Sequence, residues 1–333
     1  MFSVVIPLYN KSHTIIKTLQ SVIDQTYKNF EIIIINDGST DNSIEVIQQY
    51  FSDKRIKIFN QPNRGVSAAR NKGVEVSNGE WISFLDGDDE WHPSYLSIIK
   101  KAIELYPQAG MICTGGIIKD INKHDIHYRI ASKYLNQIKE VNFFENPSVF
   151  SHSSGLSVKK SIFKETHGFP IGMKCCEDFA CTQSIALITH TIYIGLPISK
   201  YNGGVAGQIT SIDKETQIKY IKYVAEYYNI VMNDYNSNNC NNPLFKIYFK
   251  YDIRHRFKGY IKEKCMLESF IENLSTDNLN LFSKLELFWY KNRYRVISML
   301  WINFTKIIWK MHRFPVVGEK INAKYIDEKY RIW

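Results

Sequence analysis

The sequence predicts an α/β protein built on a mostly parallel sheet with flanking helices, followed by an all-helical C-terminal extension. Two observations predict it. Over the first 115 residues, short β-branched apolar runs alternate with stretches whose apolar residues recur at helical spacing. The run Glu31–Asn36 holds four consecutive isoleucines, apolar toward both faces, as a strand inside a parallel sheet requires. Repeated strand–helix units imply parallel pairing through right-handed crossovers.

In chain order, Phe2–Pro7 reads as a strand, and His13–Gln25 as a helix with Ile15, Ile16, Leu19, Val22 and Ile23 on its apolar face. The isoleucine strand follows, then a helix from Asp41 to Phe51, with Asn42 and Glu45 at capping-box spacing. Ile56–Phe59 is a strand, Gly65–Val76 a helix, Trp81–Leu85 a strand, Ser94–Tyr106 a helix and Met111–Thr114 another strand. From 116 to 152 the pattern weakens and reads as a loop-rich insertion. Gly155–Val158 reads as a strand and Ser161–Thr166 as a short helix. His167–Pro170 is a turn before a helix opened by Glu177-Asp178 and running to Leu187, and short strands near 191–200 follow. From 214 onward, helical periodicity comes with few Gly or Pro. The chain therefore divides into an α/β unit, 1–213, and a helical unit, 214–333.

Charge divides it at the same place. Residues 1–213 carry 21 Lys+Arg against 21 Asp+Glu, whereas 214–333 carry 21 against 12, which is the whole of the net +9. A uniformly basic nucleic-acid binder is disfavoured, and no nucleic-acid motif is present. The six cysteines form no CxxC pair and two are adjacent, which argues against a zinc ribbon or a disulfide framework and for a reduced, cytoplasmic setting. Phe2–Leu8 is too short for a signal-peptide core, and no apolar run reaches the ~18 residues of a membrane span.

Ligands of such sheets bind beyond the C-terminal ends of the strands. There the sequence places Leu8-Tyr9-Asn10-Lys11, then Asp37-Gly38-Ser39-Thr40-Asp41, then Asn63-Arg64-Gly65 leading into Arg70, then Asp86-Gly87-Asp88-Asp89. The first strand lacks a GxGxxG turn and the chain has no GxxxxGK[ST], so an NAD-type domain and a P-loop NTPase are disfavoured. Asp86 and Asp88 directly follow an apolar strand. Carboxylates there suit Mg2+ or Mn2+, which bridge one or two carboxylates to substrate phosphates. A solvated turn is the plain alternative. An EF-hand is excluded, because Gly87 is misplaced and the twelfth position is Ser97. An aspartyl-nucleophile phosphatase would use Asp86 covalently, but it expects Thr or Val where Glu90 stands and leaves the Asp37 turn unexplained.

The segments Val4–Asn10, Ile35–Asp41, Asn63–Gly73 and Phe84–Trp91 occur in order within 91 residues. Together they closely resemble the family 2 glycosyltransferases, inverting sugar-nucleotide enzymes of the GT-A fold, over roughly residues 1–205. The resemblance implies that Asp37 accepts a hydrogen bond from the donor base, usually uracil, and that Pro7, Tyr9 and Asn10 line the nucleotide pocket. It places Arg70 near the nucleotide or its diphosphate, makes Asp86 and Asp88 a DXD motif with Asp88 the direct metal ligand, and leaves Asp89 a supporting or helix-capping role. Asp178 is the implied catalytic base, with Glu177 beside it; the plain alternative is that acids favour a helix's first turn. Cys175-Cys176 and Phe179-Ala180-Cys181-Thr182 depart from the family's usual flanks, which puts acceptor contacts in doubt. His152, His167 and His190 read as structural or exposed. Lys200–Gly204 is a candidate acceptor or diphosphate loop.

Between Lys284 and Arg313 lie seven Lys/Arg, three tryptophans and a single acid, Glu286. On a helix, Leu285, Trp289, Val296, Leu300, Phe304 and Ile307 share one face, with Lys284, Lys291, Arg295 and Lys306 to one side. That combination describes an interfacial membrane helix; packing on the catalytic unit or on a sister subunit of a homo-oligomer is the alternative. The expectation is thus a metal-dependent, inverting glycosyltransferase at the inner face of the cell membrane. It would move sugar from a UDP-sugar to a glycan or lipid-linked acceptor in bacterial surface polysaccharide synthesis. The remaining alternative is an inactive nucleotide-binding scaffold of a glycan-assembly complex.

Overall fold

The computed structural model describes residues 1–120, 125–204, 213–238, 240–261, 263–292, 295–311 and 320–331. Its first half follows the predicted alternation. Strands β1 (Phe2–Leu8), β2 (Phe30–Asp37) and β3 (Ile56–Gln61) pair in parallel, and β4 (Trp81–Phe84) pairs in parallel on the other side of β1. Ile32 to Ile35 are fully buried because both faces of β2 are covered. The connecting helices are α1 (Ile15–Ile23), α2 (Ser43–Tyr50) and α3 (Val66–Val76). Helix α3 lies so close to β1 that a Cβ on Gly73 would stand 2.2 Å from a Val5 methyl. The capping-box expectation for α2 fails. Asn42 makes no capping bond, and the Asp41 carboxylate takes the Ser43 amide instead, together with that of Ser12 in the β1 loop.

Beyond β4 the sheet becomes mixed. After β5 (Glu90–Trp91) and α4 (Tyr95–Leu105), strand β6 runs from Ala109 to Asp120 and turns into β7 (Asp125–Arg129), and β8 spans Ile138–Val141. The stretch 116–152, expected to be loop-rich, also supplies the end of β6 and strands β7 and β8 to the sheet. Gly115 and Gly116 look like strand breakers in sequence. In the fold they admit neighbours that a side chain would strike: a Cβ on Gly116 would meet the His152 ring at 2.7 Å, and one on Gly115 the Leu196 carbonyl at 2.9 Å. Strand β9 (Leu156–Lys159) inserts antiparallel between β4 and β6. After α5 (Lys160–Lys164) and α6 (Glu177–Ile188), the long strand β10 (His190–Gly203) pairs with β5, β6 and β8.

The C-terminal region is helical as expected through Met311: α7 (Lys214–Ser237), α8 (Pro243–Tyr260), α9 (Lys264–Asn273), α10 (Thr276–Leu279), α11 (Lys284–Lys291) and α12 (Arg295–Met311). It then returns to the sheet, where β11 (Lys320–Ile321) pairs antiparallel with β7. Helix α6 is buried nearly all round, and its Phe179 ring packs on Tyr227 of α7. Gln183 of α6 donates to the hydroxyls of Tyr227 (2.7 Å) and Tyr248 (3.1 Å), tying α7 and α8 to it. An aromatic core including Tyr228, Phe249, Phe257 and Phe270 holds the helices to one another. Among the described residues, no helix is long and apolar enough to cross a membrane.

Candidate active site

Two polar clusters form at the strand ends, and α3 joins them. The first is centred on Asp37, buried at the end of β2. Its carboxylate accepts from Gln61 Nε2 (2.7 Å), the Arg64 amide (2.9 Å) and the Gly65 amide (2.8 Å), so it holds the turn that opens α3. Gly65 sits at φ +88°, a conformation glycine adopts without strain. A carboxylate has about four lone-pair sites, so these three bonds leave room for one more donor. Asn10, at φ 51°, stitches the β1 loop to the β2 loop by accepting from the Thr40 amide at 2.8 Å. Tyr9 beside it is about half exposed, whereas Pro7 is buried in β1 opposite Ile35.

Arg70, one and a half turns into α3, is the centre of the second cluster. Its guanidinium donates to Asp86 (2.7 Å), Ser153 Oγ (2.9 Å) and Glu177 (3.2 Å), and lies 5.0 Å from the centre of the Phe169 ring. Burial opposes its charge, but Asp86 and Glu177 outweigh that and hold its pKa above the ordinary arginine value. Asp86 feels the same balance. Burial pushes its carboxyl up, while Arg70 and the Ser153 hydroxyl bring it below the usual range. The next residue of α3, Asn71, brackets the turn before α6: its side chain accepts from the Phe169 amide (2.9 Å) and donates to the Phe169 carbonyl (2.8 Å). Arg70 and Asn71 together therefore place the start of α6 against the Asp86 turn.

At that start, Cys176 takes the left-handed conformation, φ 63°, sparsely populated by residues with a side chain. Glu177 and Asp178 follow. Glu177 is buried against Arg70, and Asp178 is partly buried with one oxygen accepting from the Phe179 amide at 2.8 Å. Burial, then the neighbouring Glu177, push the Asp178 carboxyl up to about 7 in spite of Arg70. A carboxylate poised there suits general-base work at neutral pH.

The sequence-predicted DXD pair separates in its contacts. Asp86 faces Arg70, whereas Asp88 pairs with Lys11 Nζ at 2.6 Å. Thr14 also donates to the Gly87 carbonyl, so the β1 loop clasps this turn twice. Asp89 is fully buried and takes the Ser154 hydroxyl and the Asn202 amide; burial and its neighbours Asp88 and Asp86 hold its carboxyl well above the usual range. This is a supporting role and caps no helix. His152, lowered to about 4 by burial, hydrogen-bonds Ser199 and lies 3.9 Å from Asp89. His167 bonds Asp234, and His190 bonds Glu140 at the surface. The expected loop Lys200–Gly204 is largely the end of β10, tied to the acidic turn through Lys200 to Glu90 (2.9 Å) and Asn202 to the Asp88 carbonyl (2.7 Å).

Sequence reasoning missed Ser153 and Ser154, and it gave Lys11 and Asn202, which lie in segments it singled out, no role of their own. The signal for the serines was the polar string His152-Ser153-Ser154-Gly155 set directly before an apolar strand.

Fold and site together define an α/β protein of the GT-A type. Crystal structures of S. aureus TarS 1–349 share the fold: the complex with UDP-GlcNAc matches with a TM-score of 0.65 at 16% identity, over 98% of this chain and 99% of that one. The complex with UDP gives 0.62 at 17% identity. Residues 3–166, just under half of the chain, match the model of glycosyl transferase family 2. Glycosyltransferase GlyA of Streptococcus pneumoniae is 42% identical over 212 residues, 60% of this chain and 30% of the relative. The uncharacterized glycosyltransferase YibD of Escherichia coli is 44% identical over 104 residues, 31% of this chain and 30% of the relative. The putative glycosyltransferase EpsH of Bacillus subtilis is 44% identical over 94 residues, 28% of this chain. The chain thus spans under a third of the length of these relatives.

Proposed function

We propose that the chain is an inverting glycosyltransferase that moves a sugar from a nucleotide-sugar, a UDP-sugar, to a hydroxyl of a glycan or lipid-linked acceptor in bacterial surface polysaccharide synthesis. The observation that carries this reading is the junction made by Arg70, which ties Asp86 of the acidic turn to the Glu177-Asp178 pair. The family match and the UDP and UDP-GlcNAc complexes of TarS support the donor class. Tyr9 and the remaining acceptor site of Asp37 suit a nucleobase, one by its exposed ring and the other by its oxygen.

In the transfer, Asp178 takes the acceptor hydroxyl proton as that oxygen attacks the anomeric carbon from the face opposite the leaving group. The bond from that carbon to the diphosphate breaks, and the nucleoside diphosphate departs. Glu177 keeps the proton affinity of Asp178 high, while Arg70 holds Asp86 below the usual carboxylate range and keeps Glu177 in place by its hydrogen bond.

Asp88 and Asp86 would hold Mn2+ or Mg2+. The donor set fits such an ion, being hard carboxylate oxygen at a strand end. The described residues contain no group of three or more ligands, so donor phosphates would complete the shell. When bound, the ion supplies charge neutralisation for the leaving diphosphate. Lys11 now occupies one Asp88 oxygen and gives that carboxylate a cation of the chain's own. The phosphatase alternative leaves the buried Asp37 turn without a role.

The test is UDP release from a panel of UDP-sugars with Mn2+ present. Asp178→Asn, Asp88→Ala and Asp37→Ala should each abolish it. Unchanged turnover in Asp178→Asn and Asp88→Ala would refute the assignment. Nucleotide binding with no turnover on any acceptor extract would mark a scaffold instead.

A further inference from the structure

Helix α12 packs the wrong way round for a water-soluble surface. Its buried positions are Ser298, Ile302 and Thr305, two of the three polar. Among the described side chains its outer positions are Val296, Ile297, Leu300, Phe304, Ile307 and Ile308, with the polar Asn303 at their edge; Val296 is 73% exposed, Leu300 65%, Phe304 52% and Ile307 57%. At about 100° per residue these six fall within an arc of about 120°, directly opposite the buried three, and they run about 18 Å along the helix. Helix α11 packs against α12 through Trp289 and Trp301 and adds two more exposed apolar side chains, Leu285 and Phe288. An uninterrupted apolar strip of this kind marks an interaction surface.

Charge identifies what covers it. Glu286, the sole acid between Lys284 and Arg313, is turned inward and paired with Arg254 at 2.7 Å, so it offers no negative charge to the surface. Lys284 and Lys291 are exposed at the ends of α11, Lys306 is partly exposed on α12, and Lys258 reaches α12 by its bond to Asn303. Residues 293, 294, 312 and 313 lie outside the described residues. An apolar strip with only positive described charge along it, on a helix too short to span a bilayer, matches a lipid surface bearing negative headgroups.

We propose that α11 and α12 dock the protein on an anionic bilayer, the outer face of α12 entering the headgroup–acyl boundary and the lysines lying over the headgroups. A second copy of the chain would need an acidic complement, and the exposed face of α12 carries none among the described residues.

Co-sedimentation of the full chain with phosphatidylcholine vesicles, with and without phosphatidylglycerol, tests this. Binding is expected on the anionic vesicles, weaker on the neutral ones, and largely lost at about 1 M salt, where screening shortens to about 3 Å. Leu300→Glu with Phe304→Glu should lower the bound fraction at least ten-fold, and the milder Leu300→Ser should give a graded loss. Lys284→Gln, Lys291→Gln and Lys306→Gln should each weaken anionic binding about five-fold. Lys284, Lys291, Leu300 and Phe304 are exposed, so the melting temperature of variants at these four positions stays unchanged. Equal binding to both vesicle types, or binding indifferent to Leu300→Glu with Phe304→Glu, overturns the proposal. So does a dimer in sedimentation velocity that this double variant dissociates while no vesicle is bound.

Discussion

The turns around α3 and the outer face of α12 treat unfavourable groups in opposite ways. Around α3 the chain buries charge and pairs nearly all of it: Arg70 with Asp86 and Glu177, and Lys11 with Asp88. On α12 it buries Ser298 and Thr305 and leaves six apolar side chains in water. On the proposed function, the first keeps carboxylates in place for a charged donor and an acceptor hydroxyl; on the proposed docking, the second keeps an apolar strip for a lipid surface.

The largest effect expected in this comparison is on the base. Asp178→Asn keeps the shape of the carboxylate but cannot take a proton, and should lower kcat by about 10²–10⁴-fold while UDP binding is retained. Calorimetric titration with UDP beside the rate measurement checks both halves. Next is the buried pairing itself. Arg70→Met would leave Asp86 and Glu177 without their shared cation, a loss of about 3–5 kcal/mol for a broken buried pair. Thermal unfolding reads it, and a melting temperature equal to wild type would mean the pairing carries no structural weight. Gly73→Ala drives a methyl into Val5 where α3 crosses β1, with a cost of about 1–3 kcal/mol by chemical denaturation. The smallest effect on stability belongs to the other region: Leu300→Ser should stay within about 0.5 kcal/mol of wild type, as exposed positions do. If it destabilises strongly, that face is packed rather than offered.

Much of the site was legible because its residues are crowded into short turns. Asp37, Asp86 and Asp88 follow strands marked by apolar runs, and Arg70 lies in the helix that follows the Asn63-Arg64-Gly65 turn. What the pattern could not show is who pairs with whom. Arg70 donates to Asp86, Ser153 and Glu177, and its Ser153 partner lies 83 residues away in a polar string with no periodicity. Strands β7 and β8 were hidden because Gly115-Gly116 reads as a break, although in the fold it is a place of close approach. Periodicity also found the stripe on α12 but not its direction. A repeat at helical spacing says which residues share a face, and only packing decides which face turns inward.

The pH dependence of sugar transfer tests the central claim most directly. With the Asp178 carboxyl at about 7, held up by burial and Glu177, it is protonated below that pH and cannot accept the hydroxyl proton. The account predicts that kcat rises with pH through an apparent pKa near 7. Arg70→Gln, which removes the cation that lowers this pKa, should move the limb upward. A rate independent of pH between about 5 and 9, or an Asp178→Asn variant as fast as wild type, would contradict it.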